Sequence, residues 1–435
     1  METTDGKNKK NVKGPVIDVG IYSADKIAVE FKGTFRSSAD DREVYGIMEF
    51  STDDVNEEVK FSPLDKENSS FVIKNVIIGK DFHWERPEDQ EFNGIFKLIP
   101  DEKKITAVNC IHVEDYLMSV ISSEMNAGAP IESLKAHAVI SRSWLMSQLK
   151  SKSKPELTSV PLCNENEIIK WSDREAHDNY DVCADDHCQR YQGITKVYTP
   201  GAVEAVRSTT GVVLTFDGEI CDARYSKCCG GMSENYENVW ENNSHPYLRA
   251  VYDGTTGNLP VLNSESGFIK WCRSSPEVFC NTSDKEFLAR VLNNYDTETQ
   301  DFFRWKVSYT QTQLTNIILK RTGIDFGKIT DLIPDERGAS GRIIKLKIVG
   351  EKKTMTIGKE LFIRQALSES HLYSSAFFVE KNETGSEVEF VLHGAGWGHG
   401  VGLCQIGAAF MAEKGYEYRK ILKHYYKDAD IEEIY

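Results

Sequence analysis

The sequence has no long hydrophobic run and little positive charge for its length. No window approaches the roughly 20 consecutive apolar residues that a helix needs to cross a bilayer, and the polar start of the chain shows no secretory signal. Acidic residues outnumber basic ones by 67 to 52, and basic residues cluster nowhere beyond Lys7, Lys9 and Lys10. Because proteins that bind nucleic acid normally carry a basic patch, we exclude that class of partner.

What the sequence does contain is the composition of a globular protein. Its 435 residues are 40% hydrophobic and 27% charged, which is enough for a large core and for two or three domains. There are 10 cysteines, which leave the redox compartment open, since free thiols, metal ligands and disulfides are all compatible with that number. Residues 1–14 are predicted to be a disordered tail.

The hydrophobic pattern predicts an α+β fold. Apolar and polar residues alternate from residue 15 onwards, as in Ile17, Val19 and Ile21, which is typical of strands. The period then changes to that of a helix over residues 113–125 and again over residues 131–149, which predicts a helix-loop-helix. We therefore expect three parts in the chain. These are the tail, a β-rich N-terminal region over residues 15–106, and a mixed α/β catalytic domain over residues 107–435 with a long insertion at 255–340.

Three charged residues of the predicted helix pair are candidates for chemistry. Glu124 extends the apolar stripe of Leu117 and Val120, so its carboxyl group should face the packed side, where burial raises a pKa and favours proton donation. Periodicity alone favours the alternative of a partly solvated glutamate at a helix end. Lys135 and Arg142 are two helical turns apart and share a face, which either binds a polar substrate or is simply solvated.

A glycine occupies every second position from Gly394 to Gly402. If this segment were extended, one face would be bare backbone and the other would carry His393, Trp397 and His399. Such a face indicates close approach of a ligand or of another backbone, and a tight strand crossing is the structural alternative. A nucleotide site is excluded, because the segment lacks the Lys-Ser/Thr of a P-loop and the spacing of a dinucleotide fingerprint.

A polar segment contains four residues of the kind that bind zinc. His177, Cys183, His187 and Cys188 offer imidazole and thiolate ligands within twelve residues, which suits a tetrahedral Zn²⁺ site. The spacing matches no common zinc finger. Free thiols remain an alternative, as do disulfides to other cysteines of the chain, namely Cys163, Cys221, Cys228 or Cys229.

Three motifs taken together resemble the stage II sporulation protein D family, also known as the SpoIID/LytB or amidase-enhancer domain. They are YLMSVISSEMNAGAPIESLKAHAVISRSW, YSKCCGGMSENYENVW and GWGHGVGLCQIGAAFMA, in that order along the chain. The resemblance covers approximately residues 107–430. It implies a lytic transglycosylase that cleaves peptidoglycan glycan strands stripped of their stem peptides, with Glu124 acting first as the acid and then as the base. It implies no cofactor for catalysis.

The resemblance also implies roles for other residues and a cellular setting. Contacts with substrate or with the cleft wall are implied for Lys135, Arg142, Tyr225, Ser226, Trp397, His399 and Gln405. Some members of the family bind zinc through a segment similar to 177–188. A cell-wall amidase is the implied partner and the cell envelope the implied location. Two other functions stay open, namely a weakly catalytic wall-binding protein that stimulates an amidase, and a zinc hydrolase.

The chain departs from the family pattern at several positions. Asn126 stands in place of the usual proline and His137 in place of glutamine, while Cys228, Cys229 and Cys404 stand where hydroxyl residues are common. These departures bear on the form of the substrate and on the redox state of the thiols, not on the placement of the catalytic glutamate.

Overall fold

The computed structural model describes most of the chain, in eleven segments. They are residues 14–78, 86–101, 103–126, 128–151, 160–171, 177–185, 187–195, 200–255, 259–293, 301–384 and 387–435. The predicted tail therefore lies outside the described residues except for Gly14. Helices and strands occur throughout the described part, and the predicted α+β class is confirmed.

The strands and helices are numbered in chain order. The strands are β1 (Val16–Ala24), β2 (Lys26–Ser37), β3 (Glu43–Ser51), β4 (Val59–Pro63), β5 (Ser70–Ile78), β6 (Arg86–Phe92), β7 (Ile95–Asp101), β8 (Lys104–His112), β9 (Leu162–Cys163), β10 (Glu167–Ile169), β11 (Val182–Cys183), β12 (Val212–Phe216), β13 (Glu219–Ile220), β14 (Tyr225–Ser226), β15 (Arg304–Thr310), β16 (Ile329–Arg337), β17 (Ile343–Gly350), β18 (Thr354–Gly358), β19 (Phe377–Thr384), β20 (Glu387–Ala395), β21 (Leu403–Cys404) and β22 (Asp430–Glu433). The helices are α1 (Val113–Glu124), α2 (Ile131–Ser151), α3 (Pro200–Ser208), α4 (Glu265–Cys272), α5 (Lys285–Val291), α6 (Gln311–Thr322), α7 (Glu360–Ala366), α8 (Gln405–Glu413) and α9 (Tyr418–Tyr425).

The N-terminal region is a nine-stranded sheet. Its order is β11-β1-β8-β7-β4-β2-β5-β6, with β3 also paired to β2. Alternate residues of the strands point into one core, where aromatic rings such as Phe31, Phe61 and Phe96 pack together with centroids 5.3 to 5.9 Å apart. Since β11 joins the edge of this sheet from residues 182–183, the segment that contains the predicted metal ligands is anchored to the N-terminal region.

The helix-loop-helix follows the sheet without a linker. β8 ends at His112 and α1 begins at Val113, with the His112 side chain accepting a hydrogen bond from the Glu114 N–H at 3.3 Å. α1 and α2 bury most of their residues in the same core as the sheet. α1 ends at Glu124, so the position of this residue at a helix end agrees with the sequence pattern.

A second core forms later in the chain. It is built mainly from the strands β15 to β20 and the helices α6 and α7, and its members run from Trp305 to Leu392. It therefore extends past residue 340, where the insertion was expected to end. β15 and β20 are antiparallel neighbours, and Arg304 lies opposite Ala395. This pairing brings the beginning and the end of the unit together.

The glycine-rich segment is not an extended strand beyond Ala395, which corrects one premise of the sequence argument. Gly396, Gly398, Gly400 and Gly402 have φ values of 75° to 87°, in the left-handed region that favours glycine. A Cβ at Gly396 would lie 2.8 Å from the carbonyl oxygen of Cys228. The alternate glycines therefore serve close approach to other parts of the protein.

Among the described helices, none has the length and hydropathy needed to span a bilayer.

Candidate active site and metal centre

Glu124 is the point on which two distant segments converge. Its side chain is partly buried, and its Oε1 accepts a hydrogen bond from the backbone N–H of Arg190 at 2.9 Å. The ammonium group of Lys227 donates to the Glu124 carbonyl oxygen at 3.2 Å. One segment comes from the metal-ligand region and the other follows β14. The carboxyl group is therefore held in one orientation by a fixed backbone donor.

Tyr225, Ser226 and Gln405 meet where β14 and β21 run parallel. Tyr225 lies opposite Leu403 and Ser226 opposite Cys404. The ring of His137 contacts Tyr225 edge-on with centroids 4.8 Å apart, and the Gln405 amide nitrogen lies 3.5 Å from His137 Nε2. Burial lowers the pKa of His137 to about 3, so its imidazole is neutral at ordinary pH. Residues from all three motifs thus share one neighbourhood.

His399 is partly buried among protein groups. Its Nδ1 accepts the N–H of Val401 at 3.0 Å, and its ring contacts Trp240 edge-on. Burial lowers the pKa of His399 to about 3, and the positive charge of Arg224 adds to this effect. The neutral imidazole thus accepts at Nδ1 and carries its proton at Nε2, where it can donate.

Trp397 already stacks within the protein. Its ring lies on Tyr373 with centroids 4.1 Å apart and planes 18° apart. A Cβ at the next residue, Gly398, would lie 3.3 Å from the Cβ of Ser226. The glycine-rich segment therefore runs beside the strand from which Lys227 reaches Glu124.

Lys135 and Arg142 differ in their surroundings although they lie on one helix. Lys135 forms an ion pair with Glu132 at 2.8 Å and is 20% exposed. Arg142 is 0% exposed and forms two hydrogen bonds with the carboxylate of Glu114, at 2.8 and 2.6 Å. A buried arginine that is neutralised in this way stabilises the packing of α1 against α2, and it presents no surface to a substrate.

The four predicted metal ligands lie together. The ligand atoms of His177, Cys183, His187 and Cys188 are all within 4.8 Å of one another. Cys188 Sγ is 3.4 Å from His177 Nε2 and 3.5 Å from His187 Nδ1. A tetrahedral zinc ion with ordinary bond lengths separates a sulfur and a nitrogen ligand by about 3.5 Å. The contact with Cys188 and the two imidazoles lowers the pKa of the Cys183 thiol, which favours the thiolate that a metal binds. These residues could hold a metal ion.

The metal-ligand cluster also borders a groove of about 640 Å³. The groove is lined by residues of the strands β1, β5, β6 and β8 and by residues of the segments 177–185 and 187–192. Glu124 does not line it, but Arg190 does, and the backbone of Arg190 donates to the Glu124 carboxylate. The segment that contains Arg190 thus contacts both the groove and the candidate acid.

The amino-acid sequence matches two described families. Stage II sporulation protein matches residues 101–216, and a domain of unknown function matches residues 234–402. Stage II sporulation protein D of Bacillus subtilis is 26% identical over 327 residues, covering 75% of this chain and 76% of that protein. The Amidase enhancer of the same organism is 28% identical over 329 residues, covering 71% of this chain and 39% of that protein. An uncharacterized protein of Brachyspira hyodysenteriae is 26% identical over 341 residues, covering 78% of this chain and 72% of that protein.

The chain is therefore similar to the stage II sporulation protein D family, most directly over residues 101–216. The segment that matches the stage II sporulation protein family includes Glu124, the helix pair and the four clustered candidate metal ligands. The departure from the family pattern at Asn126 has a structural reason in this chain. Its N–H donates to the Val291 carbonyl at 2.9 Å, and its side-chain amide donates to Leu292 at 3.3 Å. A proline could make neither hydrogen bond.

Three residues around Glu124 did not emerge from the sequence. Lys227 directly follows Tyr225 and Ser226 in the second family motif, so its position was a usable signal. Arg190 contributes a backbone N–H, which no side-chain pattern reveals. Asn293 donates to the Ser123 carbonyl at 2.6 Å, and it lies within the predicted insertion, far from the motifs. The insertion therefore helps to hold the end of α1.

Proposed function

We propose that this protein is a peptidoglycan lytic transglycosylase that cleaves denuded glycan strands and forms anhydromuramic ends. The supporting observation is the setting of Glu124, whose carboxyl group is partly buried and fixed by the Arg190 N–H, and whose backbone carbonyl accepts a hydrogen bond from Lys227 of the second family motif. A single carboxyl group that serves in turn as acid and base needs such a fixed orientation.

In the proposed reaction the Glu124 carboxyl group transfers its proton to the leaving glycosidic oxygen. Because Oε1 accepts the Arg190 N–H, we assign the proton to Oε2. The N-acetyl oxygen of the muramyl residue then stabilises the oxocarbenium-like centre. The carboxylate takes a proton from the primary hydroxyl group of the same sugar, whose oxygen closes the anhydro ring. No water is consumed, and the carboxyl group ends in its starting protonation state.

The remaining candidate residues are proposed to bind the glycan or to shape its site. Tyr225, Ser226 and Gln405 come together on the β14–β21 pair, and His399 and Trp397 support this pair from the glycine-rich segment. Lys135 is proposed to act at the cleft wall. Arg142 is fully enclosed, and we propose that it positions α1 by its pair with Glu114 instead of touching the glycan.

We propose that His177, Cys183, His187 and Cys188 hold a structural zinc ion, which supplies order to a polar loop. The same loop sends the Gln192 N–H to Ser119 Oγ at 3.2 Å, in addition to the Arg190 N–H that reaches Glu124. The metal would therefore stabilise the backbone that orients the acid, without taking part in the chemistry. The cell envelope is the proposed place of action.

Product analysis tests this function directly. Purified protein incubated with denuded glycan strands should release products whose mass shows an anhydromuramic end. Glu124→Gln should bind the glycan and keep the parent melting temperature, and its cleavage should be at least about a hundredfold slower, because an amide transfers no proton. Glu49→Gln changes a 62% exposed carboxylate of β3 and should cleave like the parent. Cleavage by Glu124→Gln within a few-fold of the parent would remove this residue from the role.

The second candidate is a wall-binding protein that stimulates an amidase. Its support is the similarity to the Amidase enhancer of Bacillus subtilis, which covers 71% of this chain. In that case no anhydro products would form, and the purified protein would accelerate a cell-wall amidase equally well with Glu124 or Gln at position 124.

A further inference from the structure

A second cluster of metal-type ligands lies buried in the chain, apart from the histidine-containing one. It consists of Cys229, Asp253, Cys280 and Cys404, whose ligand atoms are all within 4.8 Å of one another. All four residues are buried, with exposures of 3%, 0%, 1% and 0%. Four separate segments supply them, namely the turn after β14, a loop, the segment before α5, and the junction between β21 and α8.

One sulfur–sulfur distance within this cluster matches that of two ligands on a tetrahedral ion. Cys229 Sγ and Cys280 Sγ are 3.7 Å apart. Two thiolates on one tetrahedral zinc ion are about 3.8 Å apart when each Zn–S bond is about 2.3 Å. A disulfide would need about 2.05 Å between the sulfurs, and none of the ten cysteines, all of which lie in the described part, is disulfide-bonded. The spread is also that of a site for one ion rather than for a cluster of several metals.

The surroundings are those of negatively charged ligands. Cys404 Sγ accepts the N–H of Cys229 at 3.2 Å, and Cys229 Sγ accepts the N–H of Gly231 at 3.4 Å. Such N–H donors stabilise a thiolate and fix its direction, as outer-shell groups do around metals.

The Asp253 carboxylate is held in the same manner. It accepts the Tyr425 hydroxyl at 2.6 Å and the Cys280 N–H at 2.9 Å. Among the described residues, no lysine, arginine or histidine forms an ion pair with it. A carboxyl group with 0% exposure and no cation beside it is neutralised either by a proton or by a metal ion.

Positively charged side chains nearby reduce the excess negative charge that the four ligands would keep after binding one zinc ion. Three thiolates and a carboxylate exceed the charge of Zn²⁺ by two. Arg342 donates to the Cys229 carbonyl at 3.3 Å, and Arg304 donates to the Gly230 carbonyl at 3.2 Å. These two guanidinium groups lie against the same turn, where they lower the cost of a site with excess negative charge.

We propose that Cys229, Asp253, Cys280 and Cys404 bind a second, structural zinc ion. Soft thiolates with one carboxylate oxygen in a tetrahedral set suit zinc, and a buried four-ligand site of this kind is closed to substrate. The ion would join the turn after β14, two loops and the start of α8 into one unit. This site does not depend on glycan cleavage, so it stands or falls separately from the proposed function.

Metal counting on the purified full-length chain tests the proposal. Elemental analysis should give two zinc ions per chain. Cys188→Ser with His177→Ala removes ligands of the first cluster only, and this variant should keep about one zinc ion. Cys280→Ser should lose one of the two ions, and so should Asp253→Asn, which keeps the side-chain shape. Cys221→Ser is the matched control, because Cys221 is equally buried at 1% exposure and belongs to neither cluster; it should keep both ions.

Cobalt replacement reports the ligands without any assay of activity. In the Cys188→Ser, His177→Ala variant, Co²⁺ should give the visible band of a tetrahedral ion together with a thiolate charge-transfer band, and Cys404→Ser should weaken the latter. A folded Cys188→Ser, His177→Ala variant without metal would overturn the proposal. So would peptide mapping that finds a disulfide between Cys229 and Cys280 in the native protein.

Discussion

Asn126 stands where the family resemblance implies a proline. It differs from proline in having a backbone N–H and a side-chain amide, and both of them donate hydrogen bonds. The N–H donates to Val291, and the side chain of Asn126 donates to Leu292, so the loop after Glu124 is joined to α5. Family resemblance located Glu124, but it gave no reason for the asparagine. The partner lies 165 residues later, and a local pattern carries no information about such contacts.

We expect Asn126→Pro to destabilise the protein more than Asn126→Ala does. Proline removes the donor to Val291 and adds a ring, for a cost of about 2 to 3 kcal/mol, whereas alanine keeps the N–H and loses only side-chain hydrogen bonds, for about 1 kcal/mol. Urea unfolding of both variants measures the difference. Equal stability of the two would mean that the backbone hydrogen bond to α5 contributes nothing.

At the scale of elements, the glycine-rich segment illustrates what a pattern predicts and what it does not. The alternation of glycines predicted close approach, and the approach is real. The pattern could not tell that the partners are the backbone of Cys228 and the side chain and backbone of two arginines, Arg342 and Arg224. Nor could the pattern reveal the positive φ values. Glycine at every second position is compatible both with an extended strand and with the irregular backbone that this segment adopts.

Two glycines with similar backbone angles should respond differently to alanine. Gly402 has a φ of 75°, and a Cβ there would overlap the carbonyl oxygen of Arg224. Gly415 has a φ of 85° and no atom within 4 Å of a Cβ. Gly415→Ala should therefore cost only the left-handed backbone strain, about 1 to 2 kcal/mol. Gly402→Ala should cost about 1 to 3 kcal/mol more, since backbone must move. Urea unfolding or the yield of folded protein tests this order, and equal losses would contradict it.

The helix pair was predictable because its signal is local. The stripe of Leu117 and Val120 identifies α1 within a few turns, whereas the catalytic role of Glu124 was implied by the family resemblance. The burial of Arg142 was not predictable, since it depends on Glu114, a residue on another helix that only folding brings opposite. Several strands of the second core were not predicted, because their apolar and polar residues do not clearly alternate. One example is β16, which contains a proline and four acidic or basic residues.

On the scale of the whole molecule, buried histidines make stability depend on pH. Burial lowers the pKa of His137 and of His399 to about 3, and that of His424 to about 4. An unfolded histidine takes up a proton below about pH 6.5, while the folded ones do not until much lower pH. The unfolded state therefore binds more protons in this window. The stabilisation is complete above pH 6.5 and is lost progressively as the pH falls towards 3.

His137→Gln should reduce this dependence, because glutamine does not titrate. Between pH 7 and pH 5 the parent should lose about 2 kcal/mol more of its free energy of unfolding than the variant does. Urea unfolding of both proteins at the two pH values measures the difference, and it requires no assay of activity. Identical losses in both proteins would show that His137 has the same pKa in the folded and the unfolded state.

The pairing of β15 with β20 has a consequence for how such a chain could have arisen. Arg304 and Ala395 are neighbours across two strands, although ninety residues of second core lie between them. Because the two ends of this core meet, a change in the number of residues between them would leave Arg304 and Ala395 in place. Chains that descend from one ancestor could therefore differ in length between these two strands without displacing the helix pair that carries Glu124.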